Sequence, residues 1–246
     1  RYNDTEDLCD QFKKYKGKVA AVIMEPMNIY EPRDGYLQEV KDLCHQNESL
    51  LIFDEIITGF RFSMGGAQEL FDVIPDLATF GKVVANGFPL SMIVGREEIM
   101  ERFNDIFYSL TFGGEAVSLA AAISTLEELQ TKDVVGHLYR QGEKIKTFVN
   151  KAVRDLGIQE NIECIGRPCL TLMKFMSDDG KDSLELRSLF QQEVIRQGIL
   201  FAVANNLSFS HSDSDVEKTI EVYGNAFEVL KNAIKDGNTE KYMLGK

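Results

Sequence analysis

The chain of 246 residues has little that would tie it to a metal, a membrane or a nucleic acid. Its four cysteines, Cys9, Cys44, Cys164 and Cys169, are scattered, with no CxxC pair among them. That spacing argues against a zinc site, and a chain of this length has no need of disulfide staples. The thiols are expected to be reduced and mostly in the core, in keeping with a cytoplasmic location. No apolar run reaches the roughly 18–20 residues that span a bilayer; the run from Leu50 to Ile57 is broken by Asp54 and Glu55. Positive charge is in deficit, with 27 Lys and Arg against 39 Asp and Glu and a formal net charge of −12. The acids are spread along the chain, so a phosphate backbone is not an expected partner. Repeats and low-complexity segments are absent. The opening residues, Arg1-Tyr2-Asn3-Asp4, are neither an initiator methionine nor a signal peptide, and read as if cut from something longer.

What is present is an ordinary globular composition, 44% hydrophobic and 27% charged, enough for one large domain or two smaller ones. Val19 to Met24 is a short apolar run ended by Glu25-Pro26. Gly35 to His45 then has helical spacing, with Leu37, Val40, Leu43 and Cys44 on one face. A second apolar run, Leu50 to Phe53, stops at Asp54-Glu55. Strand, helix, strand in this order predicts a right-handed βαβ unit in a parallel sheet. Continuous apolar strands predict burial on both faces. Leu77 to Phe80 and Ser91 to Val94 read as further strands. Helices are expected over Glu115 to Gln130 and Val134 to Leu156, the second closed by Gly157. Beyond it the texture changes. A strand is expected over Cys169 to Phe175, a helix over Ser183 to Gln197, a short strand over Ile199 to Ala202, and a last helix over Asp213 to Ile234 capped by Ser212 or Asp213. The expected fold class is α/β, with residues 1–130 in a sheet domain and residues 131–246 in a smaller α+β domain.

Ligands of open parallel sheets bind outside the carboxyl ends of the strands. Glu25, Asp54 and the surroundings of Lys82 all fall just past such ends and should share one rim. Asp54 follows four apolar residues, so it needs a cationic partner, whether a protonated heterocycle nitrogen or a structural pair such as Arg61. Lys82 stands between a strand and small residues, where desolvation would favour the neutral amine of Schiff-base chemistry. A snorkelling surface lysine is the competing reading. Gly81 and Gly87 leave room for a ligand.

The run Ile52-Phe53-Asp54-Glu55-Ile56-Ile57-Thr58-Gly59-Phe60-Arg61, followed after a spacer by Asp76-Leu77-Ala78-Thr79-Phe80-Gly81-Lys82, resembles the signature of the class III pyridoxal-phosphate-dependent aminotransferase family. Supporting stretches, Ala21 to Pro26, Gly65 to Gln68 and Gly95 to Met100, are most similar to its glutamate-1-semialdehyde aminomutase-like members. The resemblance implies a fold type I transferase: part of the large mixed-sheet domain, then the small C-terminal domain. It implies pyridoxal 5'-phosphate as cofactor, with Lys82 as the catalytic Schiff-base lysine and proton shuttle. It places Asp54 at the pyridine nitrogen, Ile56 on the ring face, and Thr111 at the cofactor phosphate across a homodimer interface. The implied substrates are a small-molecule amino donor and a carbonyl acceptor. Family members are longer, and their N-terminal half supplies a phosphate-binding loop and a stacking aromatic. On that basis the chain starts midway through the large domain and is expected to hold the cofactor poorly by itself.

There are departures from the family pattern. Ala85 to Ser91 lacks the glycine-rich run common after the lysine, Met27 to Pro32 lacks the glycines common after Glu-Pro, and Glu115-Ala116 stands where Asn-Pro is frequent. They leave the substrate open, with an amino-sugar aminotransferase of polysaccharide synthesis as one alternative; the missing N-terminal half leaves a non-catalytic dimerisation module as another. Elsewhere, Asp178-Asp179-Gly180 reads as a turn rather than a cation loop, and His211-Ser212-Asp213 as a helix cap rather than a triad. His45 and His137 are expected on helix surfaces. Phe107, Tyr108 and Phe112 are expected in the core, with a pocket wall as the other reading.

Overall fold

The computed structural model describes residues 1–244, which form two compact units, Arg1–Val135 and a second that begins at Gly136. The first begins with helix α1 (Thr5–Lys14), where the Asp4 side chain accepts from the Asp7 amide at 2.9 Å. Glu6 and Asp7 in its first turn and Lys13 and Lys14 in its last suit the helix dipole. Strand β1 (Ala21–Met24), helix α2 (Tyr36–Gln46) and strand β2 (Leu50–Asp54) follow. After a loop come the short helix α3 (Ala67–Leu70), strand β3 (Leu77–Phe80) and strand β4 (Met92–Gly95). The single-turn helix α4 (Glu97–Met100) and the longer α5 (Ala116–Thr131) complete this unit.

The four strands lie in the order β1-β2-β3-β4. The first three are parallel and β4 is antiparallel to β3. The expected strand-helix-strand unit is thus present, and the carboxyl ends of β1, β2 and β3 share one edge. Phe12 of α1, Leu37, Val40 and Cys44 of α2, and Leu51 and Phe53 of β2 form one buried cluster. Strand side chains alternate between faces, so the other face carries Ile23, Ile52 and Leu77 in one row and Asp54, Thr79 and Ile93 in the next. Here the expectation of burial on both faces is corrected. Ile23 is 63% exposed, and Ile93 is exposed as well. The helices α1 and α2 pack on one face only, and the face bearing Asp54 is left half open.

The second unit contains helix α6 (Val134–Asp155), strands β5 (Ile162–Arg167) and β6 (Leu170–Phe175), helix α7 (Leu184–Arg196), strand β7 (Ala204–Asn206) and helix α8 (Asp213–Asp236). Its sheet runs β5-β6-β7, antiparallel throughout. The core centres on Phe190, whose ring lies 5.0–5.4 Å from those of Phe175, Phe201, Tyr223 and Phe227. Ser212 caps α8 in a reciprocal capping box with Asp215, and Gly237 ends it at φ 63°. The expected strand over Ile199 to Ala202 is not formed; the pairing lies at Ala204–Asn206, opposite Leu170 to Leu172. Asn205 is tolerated inside because it donates to Thr171 Oγ1 and accepts from the Tyr223 hydroxyl. Asp178 to Gly180 form a turn, with Gly180 at φ 77°. All four cysteines are free thiols, and Cys44, Cys164 and Cys169 are buried. Among the described residues no helix is long and apolar enough to cross a membrane.

Candidate active site

The site is built on the carboxyl edge of the parallel strands. Asp54 is the last residue of β2, half-buried, and its Oδ1 accepts from the Ile56 amide at 3.0 Å. This local turn holds the carboxylate, and no ion pair to it is present among the described residues. Thr79 stands opposite Asp54 in the β2–β3 register, and its hydroxyl is buried with no hydrogen-bond partner in the structure. Gly81 follows β3, and a methyl group placed there would lie 3.6 Å from the Ile56 side chain. Ile56 is therefore folded over the strand end from which Lys82 emerges.

Lys82 opens a 3-10 turn, Lys82–Ala85, and sits in the left-handed region at φ 43°. A non-glycine residue in that region costs energy and is found disproportionately at functional sites. The turn is anchored from behind, where Val84 and Ala85 are buried against Ala122 of α5 with Phe60, Leu90 and Met92 around them. Lys82 itself is exposed. The expected desolvation of this lysine is thus absent, because the face it borders is open.

Thr111 lies in an exposed loop before α5. It lines an open cleft of about 1010 Å³ together with Leu90, Ser91, Ile93, Tyr108 and Phe112. Ile93 is the register partner of Thr79, so the cleft wall continues into the row holding Asp54. Phe107, Tyr108 and Phe112 are not in the core; Phe107 is 96% exposed. Glu25 is exposed just past β1. Asp54, Ile56 and Lys82 are thus gathered at neighbouring strand ends, while Thr111 lines a separate cleft that none of the three borders.

Two groups were not singled out by sequence reasoning. One is the orphaned Thr79 hydroxyl. The other is Glu55, which is 1% exposed and points away from Asp54. Its carboxylate accepts from the Thr58 hydroxyl and from the amides of Ala67 and Gln68, both at 2.8 Å. Gly66 is required beside it, since φ is +82° there and an added Cβ would come within 2.6 Å of the carboxylate. The signal for Glu55 was a second acid after an apolar strand, for which no partner was sought.

At the other end of β3, Asp76 is a second buried acid. It accepts from the Leu51 amide at 2.8 Å, and pairs with Arg96 at 2.9 Å and His45 at 3.0 Å. His45 is therefore a structural partner on the far side of the sheet from the candidate site. In the second unit, His137 bonds the His211 carbonyl at 2.9 Å.

The model of the family "Aminotransferase class-III" matches residues 3–193. A glutamate-1-semialdehyde 2,1-aminomutase of Francisella tularensis subsp. holarctica is 34% identical over 239 residues, covering 89% of this chain and 55% of that protein. One from Methanosarcina acetivorans is 35% identical over 237 residues, covering 90% of this chain and 56% of that protein. The chain thus spans about half the length of the curated relatives it matches. Among solved structures, the FumI protein of Sphingopyxis sp. MTA144, in its PLP internal aldimine form, superimposes with a TM-score of 0.87 at 25% identity, over 95% of this chain and 57% of that one. An omega-transaminase from Sphaerobacter thermophilus gives 0.83 at 21% identity, over 94% of this chain and 56% of that one. The fold is that of the type I PLP-dependent transaminases.

The residues present fit the cofactor that these relatives point to. A primary amine, a fixed carboxylate, an aliphatic side chain and an unsatisfied hydroxyl stand at adjoining strand ends. The amine, the carboxylate and the aliphatic side chain are groups that could meet an aldehyde carbon, a protonated ring nitrogen and a ring face.

Proposed function

Because this chain belongs to the class III aminotransferase family, we propose that it forms the lysine-bearing part of a pyridoxal-phosphate enzyme that moves an amino group between small molecules. The observation that carries the reading is the exposed Lys82, held at φ 43° one residue beyond Gly81 at the strand ends shared with Asp54. Pyridoxal phosphate, when bound, supplies an electron sink for the electron pair released at the substrate's α-carbon.

The chain's own groups would then do the following. Lys82 Nζ would hold the cofactor and, as a free amine, would take a proton from the substrate carbon and return one. Asp54, kept in place by the Ile56 amide, holds the proton on the ring nitrogen. Ile56 packs on the ring face and excludes water from it. Thr111 donates its hydroxyl to the phosphate of a second protomer's cofactor, which requires a homodimer. The partners are an amino donor and a carbonyl acceptor, in a cytoplasmic enzyme. The aminomutase relatives favour a substrate bearing both groups on one carbon skeleton.

The test is a comparison of Lys82→Ala and Asp54→Asn with the unaltered protein, each made in the native full-length form, given pyridoxal phosphate and assayed for amino transfer. The expected outcome is loss of the bound cofactor's visible absorbance in Lys82→Ala, and for Asp54→Asn retained absorbance with activity down at least about a hundredfold. Unchanged absorbance and transfer in Lys82→Ala would refute the assignment.

A further inference from the structure

Asp54 and Ile56 flank a residue whose side chain takes the opposite direction. Glu55 continues the β2–β3 ladder through its own amide, which donates to the Thr79 carbonyl at 2.9 Å, and its carbonyl accepts from the Gly59 amide at 2.8 Å. Its carboxylate is buried against the amides of Ala67 and Gln68, twelve and thirteen residues downstream, and against the Thr58 hydroxyl. The segment from Ile56 to Gly66 is therefore closed at its base by one side chain. Within it the Ser63 hydroxyl donates to the Gly66 carbonyl at 2.6 Å, and the Arg61 and Phe62 amides donate to the Thr58 carbonyl at 3.2 Å. A buried carboxylate is costly unless several donors meet it. Removing one of its oxygens leaves an amide N–H facing a group that cannot accept.

We propose that Glu55 is a positioning residue for the candidate site: by pinning the loop behind the strand, it fixes the peptide that aims Asp54 and Ile56 at the cofactor face. Two features carry this. The Ile56 amide is the donor that orients Asp54 Oδ1 at 3.0 Å, and the Ile56 side chain stands over Gly81, next to Lys82. Both depend on the position of a single residue, and Glu55 is the residue that tethers it. Two consecutive acids thus divide the work, one facing the site and one holding it in place. The cofactor half of this proposal rests on the reading given under Proposed function; the half that concerns Asp54 and Ile56 does not.

The experiment is amide hydrogen exchange on the whole chain and on Glu55→Gln, with Asp76→Asn as a control at the opposite end of β3. In Glu55→Gln the Ile56 amide should exchange about tenfold faster, the equivalent of one hydrogen bond's net worth. In Asp76→Asn, which weakens the fold elsewhere, the Ile56 amide should stay within about twofold of the unaltered chain. A second readout is the pH titration of the visible absorbance after pyridoxal phosphate is added, expected to shift in Glu55→Gln and to stay in place in Asp76→Asn. Faster exchange at Ala67 and Gln68 with Ile56 unchanged would overturn the proposal, leaving Glu55 a brace for α3 alone. A chain that takes up no cofactor at Lys82 overturns the functional reading, while the exchange arm still decides the positioning role. If Glu55→Gln does not fold, Thr58→Val removes only the hydroxyl donor and is read in the same way, with a smaller acceleration at Ile56.

Discussion

The two units of the chain bury their apolar residues in different ways. The second closes around Phe190, with Tyr223, Phe227, Leu189 and Leu230 all at 0–1% exposure, and what it leaves outside is mainly scattered side chains such as Leu200. The first has one closed face, between α1, α2 and the sheet, and leaves clusters of apolar side chains uncovered. Ile23 and Ile93 lie on the open face of its sheet, Phe107 to Phe112 in one loop, and Val117, Leu119 and Ile123 along α5. Open apolar patches of this kind mark surfaces that are covered in an assembly. The difference teaches that the open face is also the face of the candidate site, since it carries Asp54 and Thr79 and borders Lys82.

The comparison can be broken at its strongest point first. Phe190→Ala should cost about 4 kcal/mol, the usual loss for a fully buried aromatic, and urea unfolding should show the transition of the second unit moving to much lower denaturant. A loss below about 1 kcal/mol would mean that this core is not what closes the unit.

A somewhat smaller effect is expected from Asp76→Asn, about 3 kcal/mol, because it breaks a buried carboxylate away from Arg96, His45 and the Leu51 amide. Burial pushes the Asp76 carboxyl up, but the Leu51 amide, Arg96 and His45 together outweigh it and hold it below the ordinary carboxylate range. With the folded value depressed, the stabilisation is present above the unfolded value of about 3.9 and is lost as pH falls through the folded one. Acid titration of stability should therefore be steeper in the unaltered chain than in the variant below about pH 4.

The smallest effect on folding should come from the open surface. Ile123→Ser and Phe107→Ser should change stability by no more than about 0.5 kcal/mol, while lowering self-association as measured by light scattering. A large loss of stability in either variant would show that these side chains are packed within the chain rather than waiting for a cover.

Much of this architecture was legible beforehand because short-range patterns encode it. Helix α2 follows its apolar spacing from Tyr36, α5 starts at the capping Glu115, and α8 starts at Ser212. The strand ends at Asp54 and Phe80 were marked by the change from apolar to polar residues, and the proposed site positions follow from the resemblance of the run from Ile52 to Lys82 to the family signature. What escaped was long-range. Strand β5 was not expected because Ile162 to Arg167 alternates with charged and small residues and acquires its partner only by pairing with Leu170 to Phe175. Strand β7 was placed too early because Asn205 reads as a turn residue until Tyr223 and Thr171 satisfy it. The role of Glu55 was not legible because two of its three donors, the amides of Ala67 and Gln68, lie twelve and thirteen residues downstream. The exposure of Lys82 and of Phe107 could not be read from neighbours in sequence, since it depends on what packs against the open face.

The central claim is that Lys82 carries the cofactor, and borohydride reduction tests it most directly. The chain, incubated with pyridoxal phosphate, reduced and digested, should yield one stable adduct on the peptide containing Lys82 and none in Lys82→Ala. Adducts spread over surface lysines, with no preference for Lys82 and no loss in the variant, would contradict the account.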